Sequence, residues 1–81
     1  MRLDKFLKVA RIIKRRTVAR DFALSERISI NGRTAKPSTL VKAGDTVKLK
    51  IGDRELTFEI LAVKENIKAT EAKELYRIIS E

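Results

Sequence analysis

Residues 17–32 read TVARDFALSERISING, and this stretch carries the signals of a helix, a strand and a hairpin turn in succession. A helix over residues 17–25 is predicted, with the hydroxyl of Thr17 as its N-cap. The apolar positions that would form its buried side are Val18, Ala19, Phe22 and Ala23. Loss of the Thr17 cap should cost about 1 kcal/mol.

A strand over residues 28–31 follows this helix, because isoleucine alternates with a polar residue there. Asn31-Gly32 supplies the positive φ angles of a tight hairpin turn, so a second strand is expected over residues 33–36. Alternation of apolar and polar residues predicts two further antiparallel strands, over residues 47–51 and from residue 56 to 60 or 63.

A helix is predicted at each end of the chain. Residues 3–11 place Leu3, Phe6, Leu7 and Ala10 on one stripe, and residues 70–80 start with acidic side chains that suit a helix N-terminus. The expected fold class is therefore α+β, with two N-terminal helices packed on a small antiparallel sheet and a C-terminal helix. We interpret residues 1–81 as a single domain, in which 52–81 add a strand and that helix.

The net charge of +8 is confined to the first part of the chain. Residues 1–36 hold eleven Lys and Arg against three acidic residues, whereas residues 37–81 carry eight of each sign. Such segregation favours a polyanionic partner. The densest run is 11–20, where five of ten side chains are cationic and none is acidic.

Residue types that commonly build catalytic or metal sites are missing. The 81 residues include no Cys and no His, and the three glycines are isolated, so no glycine-rich phosphate loop occurs. We therefore predict no enzymatic activity, no cofactor and no metal. No apolar run approaches a membrane span, so a cytoplasmic protein that does not bind membranes is expected.

The cations of the first two helices and their connector form the candidate RNA-binding surface. Arg15 and Arg16 precede a predicted helix start, where backbone amides already attract phosphate. Scarce aromatic side chains argue against binding by base stacking, so structured RNA is the favoured partner. The full candidate set is Arg2, Lys5, Lys8, Arg11, Lys14, Arg15, Arg16 and Arg20.

Three segments together resemble the S-four (alpha-L) RNA-binding domain: RRTVAR at 15–20, ISING at 28–32 and Gly-Asp at 44–45. The resemblance covers residues 1–51. Its opening MRLDKFL is similar to the stand-alone group of Hsp-fifteen-type and RqcP proteins, and closest to RqcP. In that pattern the RNA-contacting arginines fall on Arg2 and Arg16.

Glu26 stands where the family commonly has Gly, so it must adopt a left-handed conformation or end the helix differently.

The resemblance implies a bacterial ribosome-associated quality-control factor. Its expected partners are large-subunit rRNA, P-site tRNA on an obstructed large ribosomal subunit, and an RqcH-type factor that adds C-terminal alanine tails; a monomer is expected. Two alternatives stay open at this point. One is an assembly factor or other rRNA-binding factor, and the other is a basic adaptor for an acidic protein or a membrane surface.

Overall fold

The computed structural model describes residues 1–80, in which two helices cover one face of a sheet. Helix α1 spans Leu3–Val9 and helix α2 spans Arg16–Leu24. The predicted stripe of α1 is confirmed, since all four of its apolar side chains are buried. Helix α2 turns Ala19 and Ala23 inward. Burial of these apolar stripes against the sheet is what stabilises two helices too short to form alone.

Five antiparallel strands form the sheet. They are β1 (Ile28–Ile30), β2 (Arg33–Thr34), β3 (Thr46–Ile51), β4 (Arg54–Ile60) and β5 (Tyr76–Ser80), in the spatial order β2-β1-β3-β4-β5. Alternate side chains point to the helices and form the core, in which the rings of Phe6 and Phe58 stack at 6.4 Å. The α+β class with two N-terminal helices on an antiparallel sheet is confirmed.

The N-terminus of α1 is covered by the loop before β3. The amides of Leu3 and Asp4 donate to the carbonyls of Thr39 and Pro37, at 2.8 and 3.2 Å. These bonds satisfy donors that a helix start otherwise leaves free. They also fix where the side chains of the first helical turn emerge.

A polar network ties the two turns of the sheet together. Asn31 and Gly32 both have positive φ, as the predicted hairpin turn requires. The Asn31 amide nitrogen donates to buried Asp45 at 3.1 Å, and the Asn31 oxygen accepts from the amide of Thr46 at 2.9 Å. The Asn-Gly and Gly-Asp segments are therefore structural, since they hold β1 against the start of β3.

The C-terminal helix is shorter than predicted. Ala69–Leu75 is a 3₁₀ helix, and the residues after it form β5 on the edge of the sheet. Tyr76 and Ile78 face the same side as their partners on β4, Ile60 and Phe58. Pairing with β4 satisfies the backbone and packs the Tyr76 ring edge-on against Phe58 at 5.5 Å, which outweighs the local helical spacing. Tyr76 is half-buried in this position.

The second helix starts at Arg16, one residue earlier than predicted, and the prediction that Thr17 is its N-cap is wrong. Arg15 occupies the N-cap without a side-chain cap, and Thr17 lies exposed inside the first turn. At the other end of α2, Glu26 has a φ of 60°, so of the two alternatives left open for this residue it takes the left-handed conformation.

Candidate RNA-binding surface

Asp4 lies at the centre of the candidate surface. It is only 2% exposed, and its Oδ1 accepts the amide of Lys5 at 2.8 Å. Its other oxygen, Oδ2, pairs with Arg2 at 3.3 Å and with Nε of Arg16 at 3.6 Å. One buried carboxylate therefore joins an arginine that precedes α1 to an arginine that begins α2.

Arg2 and Arg16 keep part of their guanidinium groups available for a ligand. Each side chain is 47% exposed although both are paired with Asp4. A guanidinium has five N–H donors, so one edge can hold the carboxylate while another meets phosphate. Sharing an anion also limits the repulsion between two neighbouring cations and restricts their rotamers. The arrangement presents two arginines whose orientation is set before RNA arrives.

The other arginines of α2 extend the surface. Arg20 and Arg2 line one groove, which runs between α2 and residues 34–38 and also includes Lys36. Arg15 lies exposed at the N-cap of α2. Neither Arg15 nor Arg20 has an ion-pair partner within residues 1–80.

Arg11 and Lys14 lie in the connector between the helices. Arg11 has a φ of 57°, and its amide and that of Ile12 donate back to the carbonyls of Lys8 and Leu7 at 3.0 and 3.1 Å. These two hydrogen bonds form a Schellman motif at the C-terminal end of α1, in which Gly usually occupies the position of Arg11. An arginine there carries backbone strain that a glycine would avoid.

Lys5 differs from Arg2 and Arg16 because the carboxylate that holds it is exposed and comes from a distant part of the chain. Its Nζ donates to Oε1 of Glu65 at 2.7 Å. Glu65 also lines a groove with Lys8, Arg11 and Lys14, which the structure brings together at the C-terminal end of α1. The hydrogen bond from Lys5, aided by its charge, lowers the pKa of Glu65 below its ordinary value.

The sequence reasoning missed Asp4 and Glu65, the two acids that organise this surface. Asp4 carried one usable signal, a lone acid between apolar Leu3 and the basic residues of α1. Glu65 carried none, because it lies 60 residues from Lys5 in a polar, irregular segment. Within residues 1–80 no three metal-ligating side chains cluster, and no helix is long and apolar enough to cross a bilayer.

This two-helix basic surface on an antiparallel sheet belongs to a known class. The family model of the S4 domain matches residues 1–47. This is the S-four domain whose motifs the sequence resembles. The chain therefore belongs to the S4 domain family, and the resemblance seen in its motifs is confirmed.

Relatives and solved structures agree with this assignment. The chain is 52% identical over 81 residues to the RQC P-site tRNA stabilizing factor of Listeria monocytogenes, covering all of this chain and 88% of that protein. It is 48% identical over 81 residues to the protein of the same name from Halalkalibacterium halodurans, covering 92% of that protein. A trimeric structure of Vibrio cholerae heat shock protein 15 superposes with a TM-score of 0.89 at 37% identity, over 99% of this chain and 82% of that one.

Proposed function

We propose that this chain is a non-catalytic RNA-binding factor of bacterial ribosome-associated quality control. It binds large-subunit rRNA and P-site peptidyl-tRNA on obstructed large ribosomal subunits in the cytoplasm. By doing so it supports C-terminal alanine tailing of stalled chains by an RqcH-type partner. The two relatives named RQC P-site tRNA stabilizing factor, which this chain matches over its whole length, support the pathway and the tRNA.

The observation that carries the RNA-binding part is the joint anchoring of Arg2 and Arg16 by Asp4. Preorientation matters because an unrestrained arginine loses rotamer entropy when it binds. Two oriented guanidinium groups can contact adjacent phosphates with charge-assisted hydrogen bonds. Such contacts position an RNA without reading its sequence, as expected of a factor that recognises folded RNA.

Replacement of Arg16 by alanine tests the site. Arg16→Ala should weaken co-sedimentation with large subunits that carry peptidyl-tRNA by about tenfold, because one charge-assisted contact contributes about 1.5 kcal/mol. Arg54→Ala is the matched control, since Arg54 is an exposed arginine at the start of β4 and is not among the candidates. Equal binding by both variants would refute the assignment of Arg16.

Crosslinking and nuclease treatment of the co-sedimented complexes test the proposed partners. Crosslinks to P-site tRNA are expected in addition to crosslinks to rRNA. Equal binding to vacant subunits, without tRNA crosslinks, would instead support an assembly factor or other rRNA-binding factor. Complexes that survive nuclease treatment would support a basic adaptor for an acidic protein.

A further inference from the structure

The Lys5–Glu65 pair places a carboxylate at the flank of the basic surface. The pair joins α1 to the segment between β4 and the 3₁₀ helix, residues 61–68. The Lys5 side chain is 36% exposed and that of Glu65 is 63% exposed. Both groups can therefore be reached by a ligand that approaches from solvent.

The position of Glu65 is set by the packing of its own segment. The amide of Leu61 donates to the carbonyl of Leu75 at 2.8 Å. Val63 and Ile67, two residues to either side of Glu65, pack against the hydrophobic core. Glu65 is thus held between two anchored residues and is not a side chain on a free loop.

The charges around Glu65 are mostly positive. Lys5 donates to it, the N-terminal ammonium group also favours its charged form, and Lys8, Arg11 and Lys14 share its groove. A pKa below the ordinary value keeps Glu65 ionised at neutral pH. An RNA phosphate that approached this groove would meet one fixed negative charge among these cations.

We propose that Glu65 competes with RNA phosphate for Lys5, and so limits the affinity of the basic surface for RNA in general. This inference rests on the proposed RNA-binding function and names a residue that moderates it. While Lys5 is held by Glu65, it neutralises no phosphate and releases no counterion. Tight binding then depends on the oriented arginines Arg2 and Arg16, which favours an RNA that fits them over any polyanion.

The test is the isosteric substitution Glu65→Gln, with a short fluorescent RNA stem-loop as the probe. Freeing Lys5 should steepen the plot of log affinity against log salt by about one unit. The affinity of the variant relative to wild type should therefore rise about fourfold for each fourfold dilution of salt. Glu59→Gln is the matched control. It adds the same charge and breaks a pair of the same length, 2.7 Å to Arg77, on the outer face of the sheet.

A double-mutant cycle shows whether Glu65 acts through Lys5. In a Lys5→Gln background, Glu65→Gln should lose most of its effect, because the released cation is no longer present. An unchanged or weakened affinity in Glu65→Gln, or an effect equal to that of Glu59→Gln, would overturn the inference. Full retention of the effect in the Lys5→Gln background would overturn it as well.

Two measurements distinguish a failure of the inference about Glu65 from a failure of the proposed RNA-binding function. If the wild-type protein binds the RNA and Arg16→Ala weakens binding, the function stands whatever Glu65→Gln does. If the wild-type protein binds neither the stem-loop nor large subunits, the function fails, and the inference fails with it.

Discussion

Asp4 is a buried acid that pairs with two arginines of the candidate RNA-binding surface. Net charge alone would predict that an acid among phosphate-binding cations weakens RNA binding. We expect the opposite, because one oxygen of Asp4 holds both Arg2, which precedes α1, and Arg16, which begins α2. Glu65 lies on the same surface but is well exposed and faces Lys5. Burial and connectivity, and not the sign of the charge, distinguish the two acids.

Replacement of Asp4 by asparagine separates positioning from net charge. Asp4→Asn removes the shared anion, so RNA affinity should fall although the net charge rises by one. Stability should also fall by about 1–3 kcal/mol, because Asp4 is almost fully buried and its charged contacts are lost. Fluorescence anisotropy with an RNA stem-loop measures the affinity, under conditions where urea unfolding shows the variant to be folded.

Asp21→Asn is the control for Asp4→Asn. Asp21 lies exposed on α2 and has no ion-pair partner within residues 1–80. The charge change is the same, so affinity should stay constant or rise. If both variants bound RNA more tightly, net charge and not arginine positioning would govern binding.

Arg11 combines a strained backbone with an exposed cation, so the effects of its backbone and of its side chain can be tested separately. Arg11→Gly should leave stability unchanged or raise it by up to about 1 kcal/mol, because Gly adopts the left-handed conformation without strain. RNA affinity should fall and its salt dependence should flatten by about one unit of slope. Urea unfolding and anisotropy measure the two quantities.

Glu26→Gly provides the matched backbone change, since Glu26 has a φ of 60° after α2. It should affect stability in the same direction without weakening RNA binding. A loss of stability in Arg11→Gly but not in Glu26→Gly would show that Arg11 is structural.

The two turns at the end of the sheet act as one unit. Asp45 is 5% exposed and accepts the amide of Lys42 at 2.9 Å and the side-chain nitrogen of Asn31 at 3.1 Å. Burial alone would raise the pKa of Asp45, but these hydrogen bonds and the nearby Lys42 ammonium group lower it below 3.8. The folded state therefore binds a proton less readily than the unfolded chain.

This shift predicts an acid-dependent loss of stability. The contribution of ionised Asp45 is fully present near neutral pH and is lost as the pH falls from about 5 through the folded-state pKa. Asp45→Asn should cost about 1–3 kcal/mol at pH 7, because the new amide cannot accept both bonds. Urea unfolding should show a smaller difference from wild type at pH 3, and a difference that stayed constant would contradict this account.

Taken as a whole, the molecule separates the surface that carries charge from the sheet that supports it. Residues 37–81, which include three of the five strands, carry no net charge. Two of their ion pairs, Lys48–Glu55 and Arg77–Glu59, join neighbouring strands on the outer face of the sheet. Because the charges of residues 37–81 cancel in number, the net positive field of the protein arises from residues 1–36, most of it from the two helices and their connector.

The salt dependence of RNA binding should show how many cations of the N-terminal part contact phosphate. If the seven candidate cations other than Lys5 each meet one phosphate of a double-helical stem, log affinity should fall with log salt at a slope of about −6. Anisotropy titrations of the RNA stem-loop over a range of salt concentrations measure the slope. A slope near zero would contradict binding through the phosphate backbone.

Local spacing was enough to predict the elements that carry the motif. The stripe of Leu3, Phe6 and Leu7, the alternation around β1 and β3, and the Asn31-Gly32 turn each follow from a periodicity or a backbone preference of adjacent residues. The charge segregation and the candidate cations were visible in the same way. These features depend on neighbours in the chain, so the amino-acid sequence determined them without reference to the fold.

Contacts between distant residues decided the rest. Arg16 begins α2 where it meets Asp4 from another helix, Lys5 is held by a residue 60 positions away, and Tyr76 joins a strand because β4 offers an unpaired edge. For the start of α2 and for Tyr76 the competing local preference amounts to only about 1 kcal/mol, which a tertiary contact can outweigh. Because no periodicity encodes which distant groups will meet, only the folded structure showed which cations of the candidate surface pair with Asp4 and Glu65.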